Sequence, residues 1–174
     1  GWRRVRIPGA DSRPGPAVPQ LVSPHLQRTA DGRNLKVALA MPIELPVGIS
    51  GRFQRPGQTH FYRFRAKKQD VVKIDVQSQR RGLAVDGVIL VMDAKGKILA
   101  TADDGSFTKD AGLSFRAPAD GEYVIGVRDL NRRAGDRFIY HMSVEPSGPD
   151  FEVHGEYYYG MLAPGGHAAW FVRL

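Results

Sequence analysis

The chain of 174 residues contains no cysteine. That excludes disulfides, thiolate nucleophiles, iron–sulfur clusters and thiolate zinc sites together, without fixing a compartment. Long apolar runs are also missing. The longest, Gly87 to Met92, is far too short to span a bilayer. There is no initiator methionine, no basic-then-apolar leader and no cleavage-like site ahead of Gly1. The chain therefore reads as a processed product or an excised piece of something longer. Helical periodicity is almost absent. So is any Gly-x-Ser-x-Gly setting for a serine nucleophile.

Charge is present but unevenly spread. The formal net charge is +7. Residues 1–36 carry Arg3, Arg4, Arg6, Arg13, Arg28, Arg33 and Lys36 against Asp11 and Asp31, which leaves the body near neutral. A basic tail can touch nucleic acid, anionic lipid or an acidic polymer. No Lys/Arg run exceeds two residues and aromatic interleaving is sparse, so nucleic acid is not favoured and a solvated linker is the simpler reading. Pro8, Pro14, Pro16, Pro19 and Pro24 lie in the same stretch. Proline removes backbone donors, so 1–34 is expected to form a Pro/Arg-rich arm with no ladder. Leu35 to Met41 reads as a short strand or helical turn, broken by Pro42 and Pro46.

A train of strands follows. Expected strands are Ile49–Gln54, Thr59–Ala66, Asp70–Gln79, Val88–Asp93, Lys97–Thr101, Gly112–Ala117, Gly121–Arg128 and a last one around Phe138 to Val144. Most alternate with period two, and Val88–Asp93 is apolar on both faces, as a central strand would be. Turn signals such as Pro118-Ala119-Asp120-Gly121 separate them. The pattern predicts an all-β fold, an antiparallel β-sandwich or jelly roll over residues 35–146. The shared phase predicts a core of Tyr62, Phe64, Val72, Ile74, Leu90, Phe115, Tyr123, Ile125, Phe138 and Tyr140. Arg80-Arg81 is expected in a solvated hairpin loop. Residues 147–174 hold strand-like pieces at Phe151–His154, Tyr157–Met161 and His167–Val172. They are too short for a domain, and read as the start of a second β domain or as strands added to the first sheet or to a neighbour's.

Three groups of residues invite chemistry. Asp103, Asp104 and Asp110 are candidate metal ligands, but their spacing does not fit an EF-hand loop, and turn-forming aspartates explain it more simply. His25, His60, His141, His154 and His167 are scattered, with no i, i+4 pair to grip a metal. Tyr157-Tyr158-Tyr159, with Trp170 and Phe171, is the densest aromatic spot. Such residues bind sugars or peptides, or pack on an adjoining domain or subunit. Exposing that set would be costly, so 150–174 is expected to be the main protein-contact surface.

The train also resembles a known family. Gly51-Arg52-Phe53, Pro56-Gly57, Phe61-Tyr62-Arg63-Phe64, Asp70-Val71-Val72, Val91-Met92-Asp93-Ala94-Lys95-Gly96, Ala102-Asp103-Asp104, Gly121-Glu122-Tyr123-Val124-Ile125 and Tyr140 are similar, in order and spacing, to the bacterial pre-peptidase C-terminal domain. That module is related to the collagen-binding domains of clostridial collagenases. Pro149-Asp150-Phe151 with Leu162-Ala163-Pro164-Gly165-Gly166 resembles the start of an immunoglobulin-like segment. The resemblance implies export to the periplasm or outside the cell, a modular parent protein and a non-catalytic role. It also implies where calcium would sit. Relatives bind it through an acidic upstream segment and aspartates before the aromatic strand. Here those places hold Asp31, Arg33 and Asn34, and His60 stands where the family has aspartate, a poor ligand for a hard cation. No cofactor is expected and no calcium requirement for folding.

The resulting expectation is a non-enzymatic, exported binding or adhesion module with a protein or polysaccharide partner. Its rival is a structural subunit of an extracellular or membrane-attached assembly, docking through its terminal segments by strand addition.

Overall fold

A computed structural model describes residues 23–105 and 108–147 in full, and elsewhere only the backbone of four short strands. In chain order the strands are β1 (Trp2–Pro8), β2 (Pro14–Leu21), β3 (Leu26–Thr29), β4 (Met41–Pro42), β5 (Val47–Arg52), β6 (Thr59–Ala66) and β7 (Val71–Gln77). They continue with β8 (Gly87–Asp93), β9 (Ile98–Ala102), β10 (Gly112–Arg116), β11 (Gly121–Asp129), β12 (Ile139–Ser147), β13 (His154–Gly155) and β14 (Val172–Arg173). Two 3-10 turns, at Val37–Leu39 and Gln79–Arg81, are the helical elements among the described residues.

The sandwich is built from two five-stranded sheets. Sheet I has the order β10-β7-β12-β5-β3 and sheet II the order β4-β6-β11-β8-β9. The strand train is antiparallel as expected, but each sheet carries one parallel pair, β3 with β5 and β4 with β6. The reason is connectivity. The chain passes from β3 in sheet I to β4 in sheet II, back to β5, then again to β6. A strand reached by such a crossover, rather than by a hairpin, can lie parallel to its neighbour.

The prolines of the N-terminal segment do not bar a ladder, which corrects the sequence expectation. β1 and β2 pair antiparallel, with Val5 opposite Val18 and Pro8 opposite Pro14. In a two-stranded ribbon each strand keeps one unpaired edge, and a residue without an N–H fits there. β3, also within the Pro/Arg-rich segment, extends sheet I.

Eight of the ten residues predicted for the core are buried between the sheets. Leu90 and Phe138 are only half-buried. For Leu90 the assumed phase was wrong. Ile89 and Val91 are fully buried in the central core, whereas Leu90 packs with Met92, Val124, Phe61 and Ala40 on the outer face of sheet II. β8 is apolar on both faces, so alternation could not choose between them. Phe138 precedes β12, with the Arg133 guanidinium 5.3 Å from its ring centre.

Gly51 shows how closely the Tyr140 ring lies over the neighbouring strand of sheet I, since Gly51 on β5 is its direct cross-strand partner. A Cβ there would stand 2.5 Å from both Cζ and Oη of the buried Tyr140. A contact that short against a ring with nowhere to go must displace the core. Gly51→Ala is therefore expected to destabilise the sandwich as strongly as the cavity variant Ile125→Ala, by about 2–5 kcal/mol. Leu90→Ala should cost clearly less. Denaturant unfolding of the three variants checks this ranking, and a neutral Gly51→Ala would show that Tyr140 is not held where described.

Candidate functional site

The polar groups best placed for chemistry are committed to the fold. β6 and β12 face each other across the core, bringing Tyr62 and Tyr140 together with their hydroxyls 2.5 Å apart. His60 Nδ1 lies 2.9 Å from the Tyr140 hydroxyl, and Phe53 stacks on the Tyr140 ring. Asn34 donates its amide N–H to the Phe61 carbonyl beside them. Burial lowers the His60 imidazole to about pKa 4, only partly opposed by Asp31. Burial also raises the Tyr62 phenol to about 12, although its bonds to Tyr140 and Asn34 oppose the rise. Tyr140 is pushed up as well, by burial first and then by Tyr62. All three are neutral near pH 7, so this cluster is a hydrogen-bonded brace rather than an acid–base pair.

The carboxylates are similarly occupied. Asp110 accepts the backbone N–H groups of Ser78, Gln79 and Arg80 and lies 3.3 Å from the Arg80 guanidinium. Arg80 also pairs with Asp75, and Arg81 donates to Gln77 Oε1, so this loop pair is anchored rather than simply solvated. Asp129, unremarked in the sequence, organises the loop after β11. It accepts N–H groups from Asp86, Asn131 and Arg133 and both arms of the Arg133 guanidinium. Burial pushes its carboxyl up, but those hydrogen bonds outweigh it and hold the group below the ordinary value. Asp103 Oδ1 accepts the Asp104 backbone N–H, as a turn-forming aspartate does. Among the described residues no three His, Asp or Glu side chains are disposed to hold a metal ion.

His141 Nδ1 lies 3.4 Å from Ser50 Oγ, at the limit of a hydrogen bond. Burial first, and Arg81 second, lower this imidazole to about 4. It is too weak a base to activate a hydroxyl. His25 Nε2 sits 3.3 Å from Glu145, which ties the entry segment to β12. Tyr157, Tyr158, Tyr159, Trp170 and Phe171, the expected contact surface, lie outside the described residues, as do His167 and the side chain of His154.

What remains open is a groove of about 1160 Å³ at one corner of the sandwich. It exists because the strands are unequal. β4 stops at Pro42 while its neighbour β6 runs on to Ala66. β5 begins at Val47, opposite Val144, while β12 runs on to Ser147. Each sheet is therefore one strand short at the same corner. Phe61 N–H donates to Asn34 and Arg63 C=O accepts from Ile43, so the odd-numbered backbone groups of β6 point away from β11. By alternation the N–H and C=O of Arg65 point the same way, past the end of β4 and into the open corner. The groove floor carries Leu45, Phe64, Ala66 and Val72, and Arg63, Arg65 and Arg116 stand around it with Glu44, Asp70 and Glu122. Arg65 is paired with Glu122 at 3.3 Å. Sequence reading missed this site. Its only signal was the mismatch between an eight-residue Thr59–Ala66 strand and a neighbour cut short by Pro42 and Pro46. A smaller pocket of about 300 Å³, lined by His60, Gln58 and Ala30, lies beside the brace.

No family model matches the chain. It is 34% identical over 80 residues to a probable subtilase-type serine protease of Deinococcus radiodurans, a match covering 45% of this chain and 11% of the protease. Among solved structures it is similar to the pre-peptidase C-terminal domain of a Bacillus anthracis collagenase, the domain type its motifs resemble. The TM-score is 0.49 with 18% identity, covering 61% of this chain and 94% of that domain. It is also similar to PliG of Aeromonas hydrophila, a periplasmic inhibitor of g-type lysozyme, with TM-score 0.48 and 16% identity over 71% of this chain and 99% of the inhibitor. No helix among the described residues is long and apolar enough to cross a membrane.

The two buried imidazoles make stability depend on acid. Their folded pKa values near 4 lie below the ordinary 6.5, so between those limits the unfolded chain binds protons that the folded chain refuses. Their contribution is complete above about pH 6.5 and is lost as pH falls toward 4. Each histidine should contribute a slope of up to about 1.4 kcal/mol per pH unit in that window. Urea unfolding at pH 7.5, 5.5 and 4.5 measures it. His141→Gln is expected to flatten the slope by one proton, and an unchanged slope would show that His141 is not held neutral.

Proposed function

We propose that the chain is a non-catalytic docking module of a larger exported protein, and that it holds its partner by accepting an extended polypeptide strand at the open corner of sheet II. One feature carries this: the N–H and C=O of Arg65, which alternation turns away from β11 and which find no backbone partner among the described residues, stand at a groove of mixed apolar and charged lining where each sheet is a strand short. Strand addition to such an edge takes affinity from main-chain hydrogen bonds and specificity from the pockets that receive alternate side chains. The slot suits an inserted strand with apolar residues toward Phe64 and Val72 and acidic residues toward the arginines. Export and membership of a larger protein are supported by the motif resemblance and by the protease relative, of whose length this chain spans about a tenth. The absence of catalysis is supported by the neutral, hydrogen-bonded state of His60, Tyr62 and Tyr140 and by the weak basicity of His141.

A library of extended octapeptides offered in excess to the chain tests the reading. Retained peptides are expected to alternate apolar and acidic residues. Arg65→Pro removes the donor on the open edge while leaving the β6–β11 pairing in place, and should weaken their binding at least tenfold. Peptides that bind Arg65→Pro as tightly as the parent would place recognition elsewhere and overturn the proposal.

A further inference from the structure

The brace opens on the smaller cavity. This pocket of about 300 Å³ lies at the Thr59 end of β6, whereas the groove lies at the Ala66 end. Of the brace, His60 alone lines it, joined by Gln58 from the loop before β6 and Arg52 from the end of β5. The direction of the brace's hydrogen bonds fixes what His60 offers there. Tyr62 and Tyr140 are fully buried, so both hydroxyls need an acceptor. One bond joins them, and one proton must go elsewhere. Asn34 also bonds Tyr62, but Asn34 Oδ1 accepts from no donor, so Tyr62 does not donate to it. Tyr140 has His60 Nδ1 at 2.9 Å. The protons therefore run from Tyr62 to Tyr140 and from Tyr140 to Nδ1. A neutral imidazole that accepts at Nδ1 carries its own proton on Nε2. Nε2 has no partner among the described residues and, unlike Asn34 Oδ1, is not sealed off, so its N–H opens on the pocket.

The other free groups on the wall are donors too. Gln58 Oε1 already accepts the N–H groups of Gln54 and Arg55, which leaves the Gln58 amide nitrogen to donate. Arg52 meets Asp136 at 3.5 Å, and the Asp136 side chain is 99% exposed, so that pairing is weak. No carboxylate lines the pocket. Asp31, which acts on His60 from nearby, accepts the Arg33 N–H. We propose that this pocket binds a carboxylate, held by the Nε2–H of His60 and the amide of Gln58, with the exposed Arg52 guanidinium at its rim. The site is separate from the groove and does not rest on the groove's reading as a strand acceptor. A carboxylate accepts several hydrogen bonds at once and makes each of them charge-assisted, which matches a wall of donors without an acceptor. The volume suits a small free carboxylate, or the side chain of an aspartate or glutamate carried by a partner.

NMR on the full 174-residue chain tests the proposal. The imidazole nitrogen spectrum at neutral pH is expected to show His60 with its proton on Nε2, and a proton on Nδ1 overturns the proposal. The probes are sodium acetate and the α-amide of N-acetylglutamic acid, whose carboxylate is in the side chain, with sodium chloride as the control for ionic strength. At least one probe is expected to shift the His60 Nε2 resonance and the Gly32 amide saturably, where chloride does not. Saturation by acetate alone identifies free carboxylates as the ligand, and saturation by the glutamate probe a partner's side chain; either supports the pocket. No saturable shift with either probe overturns it. Arg52→Glu, at an exposed position, and His60→Phe, which keeps a ring but removes the donor, should each weaken binding by about tenfold or more, read from the Gly32 amide. An unchanged Ile125 amide, in the centre of sheet II, reports that each variant is folded. Should His60→Phe not fold, Arg52→Glu decides. Parental affinity in either folded variant overturns the proposal.

Discussion

Two sheets are held face to face here by a hydrogen bond through the middle of an otherwise apolar core. Tyr62 belongs to sheet II and Tyr140 to sheet I, and their hydroxyls meet with His60 as the third member. An unpaired buried hydroxyl costs about 1–3 kcal/mol, so each partner holds the others in place. The brace fixes the separation and the relative slide of the sheets at that point. Gly51 is the concession it requires, since any side chain on β5 there would meet the Tyr140 ring. Fixing β6 against β12 also fixes which residues of each strand extend beyond their neighbours, and so where the open corner lies.

That corner follows from how the chain enters the fold. It visits sheet I as β3, sheet II as β4 and sheet I again as β5 before β6 begins the regular train. The crossings spend the residues between Pro42 and Val47 on passing from one sheet to the other. β6 therefore outruns β4, and β12 outruns β5. An exposed sheet edge with free donors and acceptors is a liability unless something pairs with it. Reading the groove as a docking slot accounts for that edge.

The same fold explains why the residues that look reactive are not. His60, His141, Asp110 and Asp129 are all buried, and each is engaged by backbone or side-chain partners. Asp110 was a metal candidate by proximity to Asp103 and Asp104, but proximity in sequence did not reveal that three backbone N–H groups from the turn after β7 point at it. Asp129 was silent in the sequence for the same reason. Its role depends on Asp86 and Arg133, brought to it by the loops on either side. Burial is what chiefly depresses both imidazoles, against the opposing carboxylates of Asp31 and Asp75.

The sequence by itself determined the class of fold and most of the core, because a period of two is a local property of each strand and survives without knowledge of its neighbours. Tyr62, Phe64, Val72, Ile74, Tyr123, Ile125 and Tyr140 were legible in this way. It failed where a strand is apolar on both faces, as at Leu90, and where an edge tolerates proline, as in β1 and β2. Only the tertiary structure decided the parallel edge pairings, the Tyr62–Tyr140–His60 brace, the roles of Asp110 and Asp129 and the existence of the groove. Each of these depends on which segment lies beside which and on where one strand ends relative to another. Hydrogen-bond partners and open edges are relations between residues tens of positions apart, and no local pattern encodes them.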